Sequence, residues 1–338
     1  ESGSYLALLD NQVNRNEVYG FKIYDCQSGS EALIKGNTLA GNGEFGLYVS
    51  DDVSGGCRMT IQDNTFTNHS DSACRVALAN HGSHLDLLDN EATDGDAEGS
   101  FLRGYYEGSE GIIRGNSVSG AAGDGMYVEE LHYGCTLTVE DNTFSENGAI
   151  GFDCSSGVGY GSYVEILDNL VQDNTSDGLN VFEVTEGAEL VIRGNTVSGN
   201  EEGITMEDMS AGGLVTVQDN EVSGNANDGL SLCGMADTVA DSEAAVLGNV
   251  ISGNLDWGID STIKHAMVDV SGCNRILDNG GGIHIVGSDL SMLHINNNNI
   301  DGSAGWGLLN ESSEAIDVTD NWWGDVTGPQ HPATNPAG

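Results

Sequence analysis

Tyr48, Arg75, Phe101, Tyr127 and Asp153 follow one another at steps of 26 or 27 residues. Beside them run "RGYYEG", with Arg103, Tyr105 and Tyr106, and "EELHYG", with Glu129, Glu130, His132 and Tyr133. Aromatic rings interleaved with carboxylates and guanidinium groups suit a sugar site, where a flat apolar face meets the pyranose and charged groups bind its polar edge. The ligand-binding set is therefore Tyr48, Arg75, Phe101, Arg103, Tyr105, Tyr106, Tyr127 and Tyr133. For bond-breaking chemistry on a polysaccharide, the candidates for acid, base and charge-stabilising roles are Arg75, Arg103, Tyr127, Glu129, His132 and Asp153. Lys22, Lys35 and Lys264 are the only lysines, so the base of a β-elimination would be an Arg or a Tyr. The competing reading is that these rings simply cover neighbouring loops.

Residues at so regular a step need a repeating scaffold. Aligning the chain on a recurrent Asn gives Asn11, Asn37, Asn64, Asn90, Asn116, Asn142, Asn169, Asn195, Asn220, Asn249, Asn274, Asn298 and Asn321, at steps of 23 to 29 residues. Positions three and five before the Asn are mostly apolar, as in Ile61 and Met59 or Val139 and Leu137, a period-two alternation that makes a strand with one buried face. Another apolar position follows two residues after the Asn, and a third short run follows a Gly, as in "GLYV", "GMYV" and "GLNV". Three short strands per copy, three prolines and no helical periodicity predict an all-β solenoid of about 13 coils occupying residues 1–338 as a single domain.

The recurrent Asn is expected at a left-handed turn, its side chain joining a structural ladder through Asn37, Asn64, Asn90, Asn116, Asn142, Asn169, Asn195, Asn220 and Asn249. A second Asn five residues later, in Asn16, Asn42, Asn147, Asn174, Asn200, Asn225 and Asn254, predicts a second ladder. On the first strand Arg114 and Glu140 share an outward position in adjacent coils, which predicts an ion pair.

The "DN" and "GN" turns, the coil of 25 to 27 residues and the closing "DNWWGDVTGP" resemble right-handed parallel β-helix repeat proteins of the pectate-lyase-like superfamily. The resemblance implies a right-handed coil along the whole chain. It implies little about activity, because the fold hosts lyases, glycosidases, epimerases and adhesins. The "NTD", "GDD", "GHG" and "RIK" motifs of polygalacturonases and the "DPHE" motif of alginate epimerases do not occur here. In related chains "NWWGD" leads into one more strand, which does not follow "NPAG" here.

Fifty-three acidic against ten basic residues give a formal net charge of −43. Such a chain repels nucleic acid and anionic membranes, and no apolar run is long enough for a membrane span. Loop carboxylates at Asp51 and Asp52, and at Asp94, Asp96 and Glu98, are calcium candidates by ligand type, although no EF-hand loop is present and a solvated acidic surface is the alternative. No other cofactor is expected. Cys57 with Cys74, and Cys135 with Cys154, occupy similar repeat positions and favour local disulfides in an oxidising compartment; buried free thiols are the alternative.

The expected protein is an extracellular or cell-surface rod with a structural or carbohydrate-binding role, its partner a polysaccharide or surface glycan. The alternatives are a polysaccharide lyase or glycosidase working in an outward groove, and self-association through open helix ends. The start at Glu1 rather than Met, a strand pattern in "SYLALLDN" at the very N-terminus and a last coil that stops short further suggest a piece of a longer secreted or surface protein.

Overall fold

Alternating apolar residues fold into short strands here because only one face of each strand can be buried inside a narrow coil. The computed structural model describes residues 3–236 and 242–328. In a typical coil Thr136–Glu140, Thr143–Ser145 and Phe152–Cys154 form three strands separated by tight corners. Equivalent strands of successive coils pair in parallel, giving three sheets of twelve strands each. The register keeps like above like: Leu137 pairs with Val164 and Val139 with Ile166. Each buried Ile, Leu or Val contributes about 1.5–3 kcal/mol by leaving water. The core is thus a stack of such side chains, including Ile34, Ile61, Ile113, Val139, Ile166 and Ile192, all buried.

The predicted first ladder is present from end to end. Each side-chain amide from Asn11 to Asn298 donates to the side-chain oxygen of the ladder Asn in the next coil, at 2.8–3.1 Å, and the run closes on Asn321. Among the described residues twelve coils carry all three strands, and Asn321 opens a last partial coil with a single strand bridge, between Trp322 and Asn299. The closing "NPAG" lies outside the described residues.

The left-handed residue is not the ladder Asn but the one before it. Asp63, Asp89, Asp141, Asp168 and Asp219 have φ of 53–55°, and Gly36, Gly115, Gly194 and Gly248 take the same place in other coils. This corrects the expected conformation: the Asn is placed by its amide bonds, and the neighbouring Asp or Gly absorbs the turn.

The second ladder is discontinuous. Asn16 bonds to Asn42, and an unbroken run links Asn147, Asn174, Asn200, Asn225, Asn254 and Asn279. Between them His69 takes the Asn position, accepting the Asn42 N–H at Nδ1 (3.3 Å) with Nε2 3.1 Å from the Leu39 carbonyl. Burial holds its pKa below the usual histidine range. Seven residues before the ladder Asn, a third interior row holds Ser30, Ser83, Ser109, Ser162 and Ser242, with Cys57 and Cys135 in the same place.

That row explains the cysteines. Cys57 is bonded to Cys26, with Cα atoms 5.9 Å apart, while Cys74, Cys135 and Cys154 are free and buried. Neither expected pair forms, because Cys74 and Cys154 point into the core from the third sheet while Cys57 and Cys135 occupy a corner. Burial pushes the thiols of Cys135 and Cys74 up to about 11 and about 12, and Cys154 higher still, so these three behave as small apolar residues.

Candidate ligand-binding face

The third sheet presents the candidate residues because its register sets one outward position of every coil in a row. Lys22, Tyr48, Arg75, Phe101, Tyr127, Asp153 and Asn180 lie side by side in consecutive coils, about 4.8 Å apart. Phe101 and Tyr127 stack with centroids 4.9 Å apart and planes at 14°. The Arg75 guanidinium lies 4.5 Å from the Phe101 ring centre on the other side and 5.5 Å from that of Phe45. Phe101 therefore offers its edge to a ligand, since both faces are occupied. Lys22 sits 4.8, 5.0 and 5.1 Å from the ring centres of Tyr19, Tyr24 and Tyr48.

Arg103 and Glu129 occupy the next outward row, Nε to Oε2 3.9 Å. Tyr106, His132 and Tyr133 sit farther on, at the corner that follows the strand. There Tyr133 stacks on Tyr160 at 4.5 Å, and His132 meets Tyr160 edge-on at 5.3 Å. Tyr160 was missed by the sequence reading, although its "VGYG" echoes "LHYG" one coil earlier.

Tyr105 is not on this surface. Strict alternation predicts it outward, but Gly104 has φ of 137° and reverses the alternation, sending Tyr105 into the core. Its hydroxyl donates to the Leu85 carbonyl at 3.0 Å, and its ring fills space that a Cβ at Gly111 would occupy. Tyr105 thus belongs to the packing of the rod.

At the far side of Tyr127 the face turns acidic. Asp153 is only 5% exposed and accepts a 2.7 Å hydrogen bond from Asn180 Nδ2. Burial, reinforced by Asp124, Asp177 and Glu207, pushes its carboxyl up to about 7 despite that bond. Asp124, Asp177 and Glu202, each just before the Gly that opens a third strand, are raised for the same reason. Ser155 Oγ lies 2.6 Å from the Tyr127 hydroxyl. A carboxyl balanced near neutrality beside a phenol can give or take a proton at working pH.

The remaining candidates are dispersed. Asp52 accepts from Asn80 and Glu98 from Ser72; among the described residues no group of three or more His, Cys, Asp or Glu side chains is placed to hold a metal ion. Arg114 pairs with Glu140 at 3.3 Å, as expected for the first sheet. Among the described residues no helix is long and apolar enough to cross a membrane.

Solved structures sharing this architecture include the periplasmic alginate epimerase AlgG, at 14% identity with a TM-score of 0.57 over 94% of this chain and 76% of that one. The A-module of Azotobacter vinelandii mannuronan C-5 epimerase AlgE6 is similar at 15% identity, TM-score 0.51, over 95% of this chain and 89% of that one. At such identity the likeness is one of fold. A comparison with curated proteins gives no match. A family model described as "Right handed beta helix region" matches residues 1–92, 52–183 and 105–251, most of the sequence, and the chain belongs to that family.

Proposed function

We propose that the outward face of the third sheet, over the first six coils, binds an acidic polysaccharide lying along the rod. The observation that carries this reading is the setting of Lys22 and Arg75. In a chain of net charge −43, these two cations make no ion pair with any described carboxylate and rest on aromatic rings in a single row. Cations so held keep their charge available to a uronate carboxylate or a sulfate, and the rings supply apolar edges for the sugar. The fold is shared with proteins named for alginate and mannuronan, which agrees with this ligand class. The Cys26–Cys57 disulfide favours an oxidising location outside the cytoplasm.

A second reading rests on Asp153. Its carboxyl, lifted to about 7 in the row next to Tyr127, suits a lyase or glycosidase acting where the cationic and acidic parts of the face meet. Arg75, Arg103 and Glu129 would then position the substrate, while His132 stands farther off at the corner. A panel of acidic and neutral glycans, followed by product analysis on every binder, tests both readings. Binding of acidic glycans without turnover supports the first; new unsaturated or reducing ends that vanish in Asp153→Asn support the second. Failure of every acidic glycan to bind contradicts both.

A further inference from the structure

A second constellation lies farther along the same sheet. Asp260 and His284 are register partners in adjacent coils, with Asp260 Oδ1 and His284 Nδ1 2.7 Å apart. The Trp257 indole stacks on the imidazole at 4.8 Å with planes at 20°. Its ring leans over Gly281, where a Cβ would overlap the indole. The backbone N–H of Trp257 donates to Asp228 Oδ1 at 2.7 Å, and Asp256 and Asp260 are close enough to reinforce the upward push that burial gives the Asp228 carboxyl. One coil beyond Gly281, two residues before Leu308, Trp306 takes the equivalent place with 63% of its surface exposed.

The polar end of this cluster is incomplete. His284 Nε2 is buried and makes no hydrogen bond. The nearest carboxylate oxygen, Glu311 Oε2, stands 3.8 Å away, beyond hydrogen-bond reach. With Asp260 accepting Nδ1–H, Nε2 is the ring nitrogen left to a ligand. Glu311 is 57% exposed, so its side chain is free to turn aside.

We propose that Trp257, Trp306 and His284, with Asp260 and Glu311, form a saccharide subsite for a pyranose that carries no carboxylate. The indoles, carried at register positions two coils apart, meet the apolar ring faces. A sugar hydroxyl hydrogen-bonds to His284 Nε2 once Glu311 has turned. Asp256, Asp260 and Glu311 surround the place with negative charge, which repels a uronate and accepts a neutral or amino sugar. The subsite goes beyond the acidic-glycan reading. It lies six coils, about 29 Å, from Phe101 and uses none of the same side chains.

Intrinsic tryptophan fluorescence of the whole chain, titrated with cellohexaose, a chitosan hexamer and hexagalacturonate, tests the proposal. The expected result is a saturable emission shift with cellohexaose or the chitosan hexamer, weakened about tenfold in Trp306→Ala and in His284→Ala, and unchanged in Arg75→Gln. Trp306→Ala removes an exposed ring and leaves the core intact, so its readout does not depend on the fold surviving loss of His284. A preference for hexagalacturonate at this site, no shift with either of the other two, or a shift that both variants leave intact overturns the proposal. Loss of acidic-glycan binding in Arg75→Gln with this titration preserved separates the two sites.

Discussion

The guanidinium of Arg75 lies 4.5 Å from the centre of the Phe101 ring, and Tyr127 stacks on the opposite face. A ring enclosed in this way supports its neighbours as well as any ligand. Replacing Phe101 and Tyr127 together by Ala is expected to cost about 1–3 kcal/mol, from lost stacking and partial burial. Urea unfolding checks this; an unchanged midpoint would mean that the stack contributes nothing to the rod.

The first ladder gives a larger effect. Asn169 Nδ2 donates to Asn195 Oδ1 and to the Val139 carbonyl, and Asn169 Oδ1 accepts from the N–H and Nδ2 of Asn142. Asn169→Leu leaves these buried partners unsatisfied, each at about 1–3 kcal/mol. A loss of about 3–5 kcal/mol in chemical denaturation is expected, whereas a loss below about 1 kcal/mol would show the ladder to be dispensable.

Asp153 sets a pH dependence of known sign. Its folded pKa, about 7, exceeds the ordinary 3.8 of an unfolded Asp, so the folded state holds the proton more tightly. Stability is greatest below the unfolded value and falls as pH rises towards 7, with the loss complete above it. Asp153→Asn removes the penalty. The variant should melt with the parent near pH 4 and several degrees above it at pH 8. Equal melting temperatures at both pH values would place the carboxyl in a solvated setting.

Period-two alternation around a fixed Asn was enough to place Met59, Ile61, Leu137 and Val139 in the core, because burial leaves a strand only one inward parity. Stacking then put Arg75, Phe101, Tyr127 and Asp153 in one row. The alternation misled at Tyr105, since one Gly with positive φ reverses the parity and a short pattern does not reveal it. Cys26 and Cys57, 31 residues apart, meet only through the stacking of coils at a corner. His69 stands five residues after Asn64, the place of a second-ladder Asn, so its role as a substitute was legible in that spacing. The Trp257–His284 contact escaped notice because Trp257 pairs with Gly281, and the imidazole three residues farther on comes beside the indole only once the strand register is known.

If Lys22 and Arg75 hold an acidic glycan, its binding depends on salt. Affinity for oligouronates should be measured by calorimetry across ionic strengths for the parent and for Lys22→Gln with Arg75→Gln. Both substitutions remove charge from exposed or half-buried positions, so the fold is expected to persist. Parent affinity is expected to fall with added salt, and the double variant to bind about tenfold or more weakly at low salt, with a flatter salt response. Equal affinity and equal salt response in parent and variant would contradict it.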